Sequence, residues 1–261
     1  MEAALCFLLA TTLATTSQAY QSHLLPHSGG GAATSAAHRL HHNKISCSSW
    51  RLAVETNNTV GWDIVPGECA EYVANYMLGP QYPEDCFAVI STALAYAKNL
   101  TLAGDGKDIW VFDLDETALS ELDYYSLPDV AFGAKEYNST KKKEYQKKGT
   151  TPALPAVLEL YKELVPLGFK IVFLSASSES NRESRVSNLK RVGYHTWEKL
   201  ILKQTSEHGT SSLMYKSKKR TELVEAGYRI MGNMGDQWSD ISSSNPGNRT
   251  FKLPNPMYYV N

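Results

Sequence analysis

Asp113 and Asp115 stand two residues apart in the run Asp113-Leu114-Asp115-Glu116-Thr117, directly after the apolar stretch Ile109-Trp110-Val111-Phe112. A carboxylate in that position can attack phosphorus and form an aspartyl-phosphate. A second carboxylate two residues along can protonate the leaving oxygen and later activate water. Ser175 follows a second apolar stretch, Ile171-Val172-Phe173-Leu174, and Lys216 lies at the start of a helical segment. A hydroxyl and an ammonium offset charge on transferring oxygens. Asp236 and Asp240 follow a last apolar stretch in Gly235-Asp236-Gln237-Trp238-Ser239-Asp240. Together with Asp113 they supply the hard oxygen donors that Mg²⁺ prefers. Each residue alone has an ordinary structural use. Asp-X-Asp is a common turn or helix cap, and Ser175 can cap the next helix. Lys216 belongs to the solvated-looking run Lys216-Ser217-Lys218-Lys219-Arg220, and Asp236 and Asp240 suit the first turn of a helix. The set in this order, each member beside a strand end or a helix start, points to phosphoryl transfer.

The elements that must position these groups follow from periodicity. Pro66–Met77 and Pro83–Leu100 have helical spacing, with Phe87, Ile90, Leu94 and Ala97 on one face of the second. Gly104-Asp105-Gly106 breaks the chain. Strands are expected at 109–112, 171–174, 200–202 and 228–231. Helices are expected at 155–166, 180–191 and 213–226, the last two closed by Gly193 and Gly227. Strands alternating with helices predict a parallel sheet covered on both faces, with the active site beyond the strands' carboxyl ends.

Composition narrows the class. The 261 residues are 43% hydrophobic and 20% charged, enough for a sizeable core without a disulfide scaffold. Lys+Arg is 26 and Asp+Glu 27, which excludes the basic surface of a nucleic-acid binder or a polybasic membrane binder. No apolar run approaches the roughly 20 residues of a membrane span.

At the N-terminus, Ala3–Leu13 is apolar and leads into small residues ending at Ser17-Gln18-Ala19. This reads as a signal peptide over residues 1–19, despite Glu2 and the lack of a basic n-region. Residues 20–46 form a Gly/Ala/Ser-rich leader containing His23, His27, His38, His41 and His42. No cysteine or carboxylate completes a metal site there, so a flexible leader is expected. In the secretory pathway Asn57, Asn99, Asn138 and Asn248, each opening an Asn-X-Ser/Thr triplet, are glycan acceptors. Removing Cys6 leaves Cys47, Cys69 and Cys86, hence one bridge at most. Connectivity is not fixed by sequence, and Cys47 with Cys69 is the pairing we expect.

The chain resembles the plant acid phosphatase and vegetative storage protein family, related to class B acid phosphatases within the haloacid dehalogenase superfamily. The likeness rests on Trp110–Thr117 with Leu119-Ser120 and Tyr124-Tyr125, on Pro152–Pro155, Tyr215-Lys216-Ser217 and Gly235–Asp240. It extends to Phe251–Tyr259 and, near the front, to Ser49–Asn58, so that it spans about residues 47–261. The resemblance implies an α/β fold of the haloacid dehalogenase type. That fold is a Rossmannoid parallel sheet flanked by helices, with a small cap insertion over 121–150 and an N-terminal helical extension. It implies that Asp113 is the nucleophile and a metal ligand. Asp115 is the general acid/base and gives its backbone carbonyl to Mg²⁺. Ser175 and Lys216 bind phosphate, Asp236 is the last protein ligand, and Asp240 orients the metal's waters. Tyr124, Tyr125 and Phe132 in the insertion either stack on an apolar leaving group or form cap core.

One departure stands out. The family follows its second-motif Ser or Thr with Gly-Arg, whereas here Ser175 is followed by Ala176-Ser177-Ser178. The arginine's bidentate contact with an oxyanion is missing, and Ala176 restricts a backbone that must approach phosphate. Making Ala176→Gly and Ser177→Arg together is expected to raise activity. The expected function is hydrolysis of small phosphomonoesters by a secreted, cell-wall or vacuolar enzyme, with Mg²⁺ as cofactor and a homodimer left open. The alternative is a storage glycoprotein with little activity. Some storage members of the family lack the nucleophilic aspartate, and Asp113 is present here. A two-metal phosphatase is disfavoured, because only His195 and His208 lie outside the leader.

Overall fold

The computed structural model describes residues 45–260, so the signal peptide 1–19 and the leader up to residue 44 lie outside the described residues. A short helix α1 (Cys47–Glu55), a 3₁₀ turn over Gly67–Cys69, α2 (Ala70–Leu78) and α3 (Gln81–Lys98) precede the first strand. A disulfide joins Cys47 to Cys69 and ties α1 to the start of α2. The buried stripe of α3 is Tyr82, Cys86, Ile90, Ala93 and Ala97, while Phe87 faces solvent. The expected face is therefore rotated: the stripe steps by four and three residues from Tyr82, and Phe87 falls just beyond its edge.

The sheet comprises β1 (Asp108–Phe112), β2 (Lys170–Ser178), β3 (Lys199–Lys203), β4 (Arg229–Gly235) and β5 (Thr250–Lys252). All neighbours pair in parallel, in the order β3-β2-β1-β4-β5. Strand β5 escaped the sequence reading because Thr250-Phe251-Lys252 holds a single apolar residue and forms no apolar run. Strand β2 is longer than expected. Its register shifts between Leu174 and Ser178, so Ser175 lies within the strand's irregular end and not beyond it.

Side chains alternate across the strands. Trp110 and Phe112 enter the large core on one face, and Ile109 and Val111 enter a second core with Val172, Leu174, Tyr215 and Ile230. The fully buried Trp110 ring stacks on Phe251 with centroids 5.4 Å apart and meets Phe169 edge-on at 5.7 Å. Its cross-strand partner is Gly232, where a Cβ would come within 2.6 Å of the indole. The bare backbone at 232 makes room for the largest side chain of the core.

Helix α6 (Pro155–Leu164) has Pro at its first turn and buries Ala156, Val157, Leu160, Tyr161 and Leu164 against α3. After β2 and a 3₁₀ turn comes α7 (Arg182–Val192), ended by the left-handed Gly193. Helix α8 (Ser212–Glu225) packs on β2 and β4. The single turn α9 (Trp238–Ile241) follows β4. Between β1 and α6 the chain makes α4 (Leu122–Tyr125), a 3₁₀ turn at Ala131–Gly133 and α5 (Ser139–Lys147). The Asn138 side chain caps α5 by accepting from Lys141 N–H at 3.0 Å. No helix among the described residues is long and apolar enough to cross a membrane.

Candidate active site

The chain order of the strands reverses at β1 and β4, which leaves a crevice at their carboxyl ends. Asp113 is the first residue past β1, and its N–H donates to Met234 O at 3.0 Å, which pins it to the β4 side. Asp236 is the first residue past β4. The two strands meant to carry carboxylates are thus neighbours, although the acids lie far apart in sequence.

Asp113, Asp236 and Asp240 form a buried trio whose carboxylate oxygens come within 4.8 Å of one another. Lys216 reaches in from the second turn of α8, with Nζ 2.5 Å from Asp113 Oδ1 and 2.5 Å from Asp240 Oδ1. Asp236 is gripped on both oxygens. Thr117 Oγ1 donates to Oδ1 at 3.1 Å, and Gln237 Nε2 and Asn255 Nδ2 donate to Oδ2, each at 2.8 Å. Gln237 N–H donates to Asp240 Oδ2 at 2.9 Å. Asn233 and the buried Arg220 hold the Asp240 carbonyl at 3.0 and 2.6 Å, fixing α9 under the site. Burial pushes the Arg220 guanidinium down to about 10.

Asp115 faces the same crevice from the other side. Arg185, in the first turns of α7, sets Nη2 at 2.8 and 3.0 Å from its two oxygens and donates to Ser177 Oγ at 2.7 Å. Ser177 Oγ in turn lies 3.3 Å from Asp115 Oδ2, and Ser177 N–H donates to Ser175 Oγ at 3.0 Å. On the pocket wall near Asp115, buried Glu121 pairs with buried Lys142 of α5 and accepts from Gln146 Nε2 at 2.9 Å. Glu116, in the left-handed region at φ 55°, accepts from Glu121 N–H at 2.6 Å.

Electrostatics separate the carboxylates. Burial raises Asp113 well above the ordinary range; Lys216 opposes this, and Asp240, Asp236 and Asp115 reinforce it. Burial and Asp240 also raise Asp236, against the hydrogen bonds from Asn255 and Gln237. Asp115 goes the other way. Burial alone would raise it, but Arg185 and then Lys142 hold it below the usual value. Burial works against the Lys216 ammonium, yet Asp113 and Asp240 keep it protonated.

A pocket of about 570 Å³ opens over this floor and is lined by all six sequence-predicted residues: Asp113, Asp115, Ser175, Lys216, Asp236 and Asp240. Its walls include Tyr125, Tyr137, Tyr258 and Tyr259, with Lys142 and Lys143 on the inserted segment. Tyr125 stacks on Tyr258 at 5.2 Å, joining that segment to the C-terminal tail. Tyr124 and Phe132 do not line the pocket; Tyr124 is core, packed edge-on against Tyr125. Of the four Asn-X-Ser/Thr asparagines, Asn99, Asn138 and Asn248 are exposed and Asn57 is half-buried.

Arg185, Lys142, Glu121, Gln237 and Asn255 escaped the sequence reading as site residues. Asn255 lay within a stretch already quoted, but nothing in a lone Asn signals a carboxylate 19 positions upstream. Arg185 carried one signal: it lies one turn into the helix after Ser175, and helical side chains tilt toward the helix N-terminus. That direction leads back to the strand end.

The donor set fits a divalent cation. Three buried carboxylates face one buried ammonium, which leaves an excess of negative charge out of water, and every donor is a hard oxygen.

The chain is similar to several known proteins. The family described as HAD superfamily, subfamily IIIB (acid phosphatase) matches residues 32–261. Acid phosphatase 1 of Solanum lycopersicum is 46% identical over 218 residues, covering 84% of this chain and 85% of that protein. A stem 28 kDa glycoprotein of Glycine max is 44% identical over 83% of this chain and 85% of its own length. Vegetative storage protein 1 of Arabidopsis thaliana is 42% identical over 84% of this chain and 80% of its own. Among solved structures, a class C acid phosphatase from Bacillus anthracis shares the fold. Its TM-score is 0.59 at 21% identity, over 74% of this chain and 85% of that one.

Proposed function

Because the chain belongs to the HAD superfamily, subfamily IIIB, of acid phosphatases, we propose that it hydrolyses small phosphomonoesters through an aspartyl-phosphate on Asp113. The observation that carries the reading is the convergence of Asp113, Lys216 and the Asp236/Asp240 pair at one strand switch point, with Asp115 across the same pocket.

The Asp113 carboxylate attacks phosphorus as the bond to the leaving oxygen breaks. Asp115 gives that oxygen a proton, then takes one from the water that cleaves the acyl phosphate. Arg185 favours an ionised Asp115, ready for the second half, and mildly acidic pH supplies the proton required in the first. Lys216 and Ser175 hold the phosphoryl oxygens at the pocket floor. Asp113, Asp236 and the Asp115 carbonyl would hold Mg²⁺, with Asp240 orienting its waters. When bound, the cation offsets the negative charge gathered on carboxylates and phosphoryl group. The tyrosine-lined mouth accepts the organic part of the ester. Residues 121–150 act as the cap, and the destination is the secretory pathway, to wall or vacuole, with Asn99, Asn138 and Asn248 as the most accessible glycan acceptors.

A second reading is favoured by the 44% and 42% identities to a stem glycoprotein and a vegetative storage protein. It is a storage glycoprotein with weak or no activity. Both are tested by hydrolysis of 4-nitrophenyl phosphate at mildly acidic pH, with Mg²⁺ or chelator, beside Asp113→Asn. The enzyme reading requires metal-dependent turnover that the variant lacks. Equal, background rates in wild type and variant would leave the storage reading.

A further inference from the structure

Ser177 stands two residues after Ser175, at the strand end where the family resemblance implies an arginine. A guanidinium is nevertheless present. It comes from the helix and not from the strand end: Arg185 lies over Ser177, 2.7 Å from its Oγ, and its Nη2 straddles the Asp115 carboxylate at 2.8 and 3.0 Å.

Arg185 is 1% exposed and is not among the residues lining the pocket. It therefore touches Asp115 from behind and leaves the Asp115 face toward the pocket open. A buried guanidinium is costly unless its charge is met, and Asp115 is the carboxylate that meets it. Against its burial, Asp115 and Glu121 keep the Arg185 guanidinium protonated, so it cannot take the proton that Asp115 must carry. The side chain is anchored at its root as well. Three residues on, Asn188 of the same helix face clasps the backbone of Thr151, with distances of 2.9 and 2.6 Å. The helix that delivers the guanidinium is thus fixed to the chain leading into Pro152.

We propose that Arg185 is a positioning residue for Asp115, a guanidinium supplied from α7 in place of the missing strand-end arginine, and that it sets the orientation in which Asp115 protonates the leaving group. The inference rests on the phosphatase reading. It makes a claim that simple phosphate binding does not. A general acid matters more as the leaving group becomes more basic, so loss of its orientation penalises alkyl esters more than nitrophenyl esters. Loss of a phosphate contact, or loosening of the fold, penalises both equally.

The test is kcat/KM for glycerol 2-phosphate and for 4-nitrophenyl phosphate in wild type, Arg185→Met and Arg185→Lys, with thermal unfolding of each. The parameter kcat/KM reports steps up to the first irreversible one, so slow breakdown of the phosphoenzyme does not mask the effect. We expect Arg185→Met to lose about tenfold more on the alkyl ester than on the nitrophenyl ester, and Arg185→Lys to show the same bias in smaller degree. If Arg185→Met fails to fold, the bias in Arg185→Lys decides. Equal losses on the two esters, no loss, or a gain on the alkyl ester would overturn the inference while wild-type turnover keeps the phosphatase reading intact. Absence of turnover in wild type with both esters would overturn that reading, and this inference with it.

Discussion

Asp113 and Lys216 are separated by 103 positions in sequence and meet at 2.5 Å in the buried floor of the pocket. The contact links the end of β1 to the second turn of α8, and the same ammonium reaches Asp240 at 2.5 Å. One cation therefore serves two members of a three-carboxylate cluster.

Lys216→Met removes that cation and leaves Asp113 and Asp240 buried without it. Breaking a buried pair by deleting one partner costs about 3–5 kcal/mol. We expect a loss of that order in urea unfolding with chelator present, and partial recovery on adding Mg²⁺, which replaces the missing positive charge. Hydrolysis falls by roughly a hundredfold or more, because the charge facing the phosphoryl oxygens is lost. The same loss of stability with and without Mg²⁺ would show that the trio does not take the cation.

Away from the site, Arg229 ties the start of β4 to the loop before β1. Its Nε donates to Asp108 at 2.6 Å and its Nη atoms reach Asp105 at 2.5 and 3.0 Å. These bonds, with Lys107 N–H, hold Asp105 down to about 2, and Arg229 also lowers Asp108. The folded pKa lies below the unfolded one, so the unfolded chain binds more protons between the two values and stability rises with pH there. The contribution is full above the ordinary aspartate value, about 3.9, and fades as the pH falls toward about 2. We expect Arg229→Met to unfold at lower urea than wild type at pH 6, with the gap narrowing as the pH falls below about 4 and closing only below the folded value of about 2. A gap that widens on acidification would contradict the clamp.

Much of this architecture was legible because it rests on pattern. Short, mostly apolar runs of three or four residues gave β1 to β4, and polar residues following them gave Asp113, Ser175 and Asp236. What was not legible depends on distance across the chain. Nothing near Asn255 reveals that it will hold Asp236, and nothing near Arg185 reveals that it will reach Asp115. Strand β5 has only Phe251 as an apolar residue, so no apolar run marks it, and Phe87 misled because the α3 stripe is set by contacts with α6 and the sheet. The Ser177 departure was visible, but its compensation lay eight residues away in a helix. Placing arginine at 177 would now bring a second guanidinium against the first, so the gain in activity expected from sequence alone does not follow.

Gly235 controls the approach of α9 to the strand ends. A Cβ there would lie 2.3 Å from Asp240 Cβ and 2.3 Å from its Oδ2. The Cβ atom of Asp240 cannot swing aside as a side-chain tip can, so Gly235→Ala must move the backbone of α9. That movement breaks the Lys216 and Gln237 contacts to Asp240 together. Overpacking of this kind costs about 1–3 kcal/mol, which leaves the protein folded. Disturbing groups that orient a metal's ligands typically costs about 10–100-fold in affinity or activity. We therefore expect Gly235→Ala to remain folded, to lose about 10–100-fold in hydrolysis, and to show a reduced rise in unfolding temperature on adding Mg²⁺. Gly67→Ala is the matched control, since a Cβ at 67 meets nothing within 4 Å, and it should leave both readouts unchanged. If Gly235→Ala keeps the full Mg²⁺ response, Asp240 plays no part in holding the cation, and its contact with Lys216 is structural only.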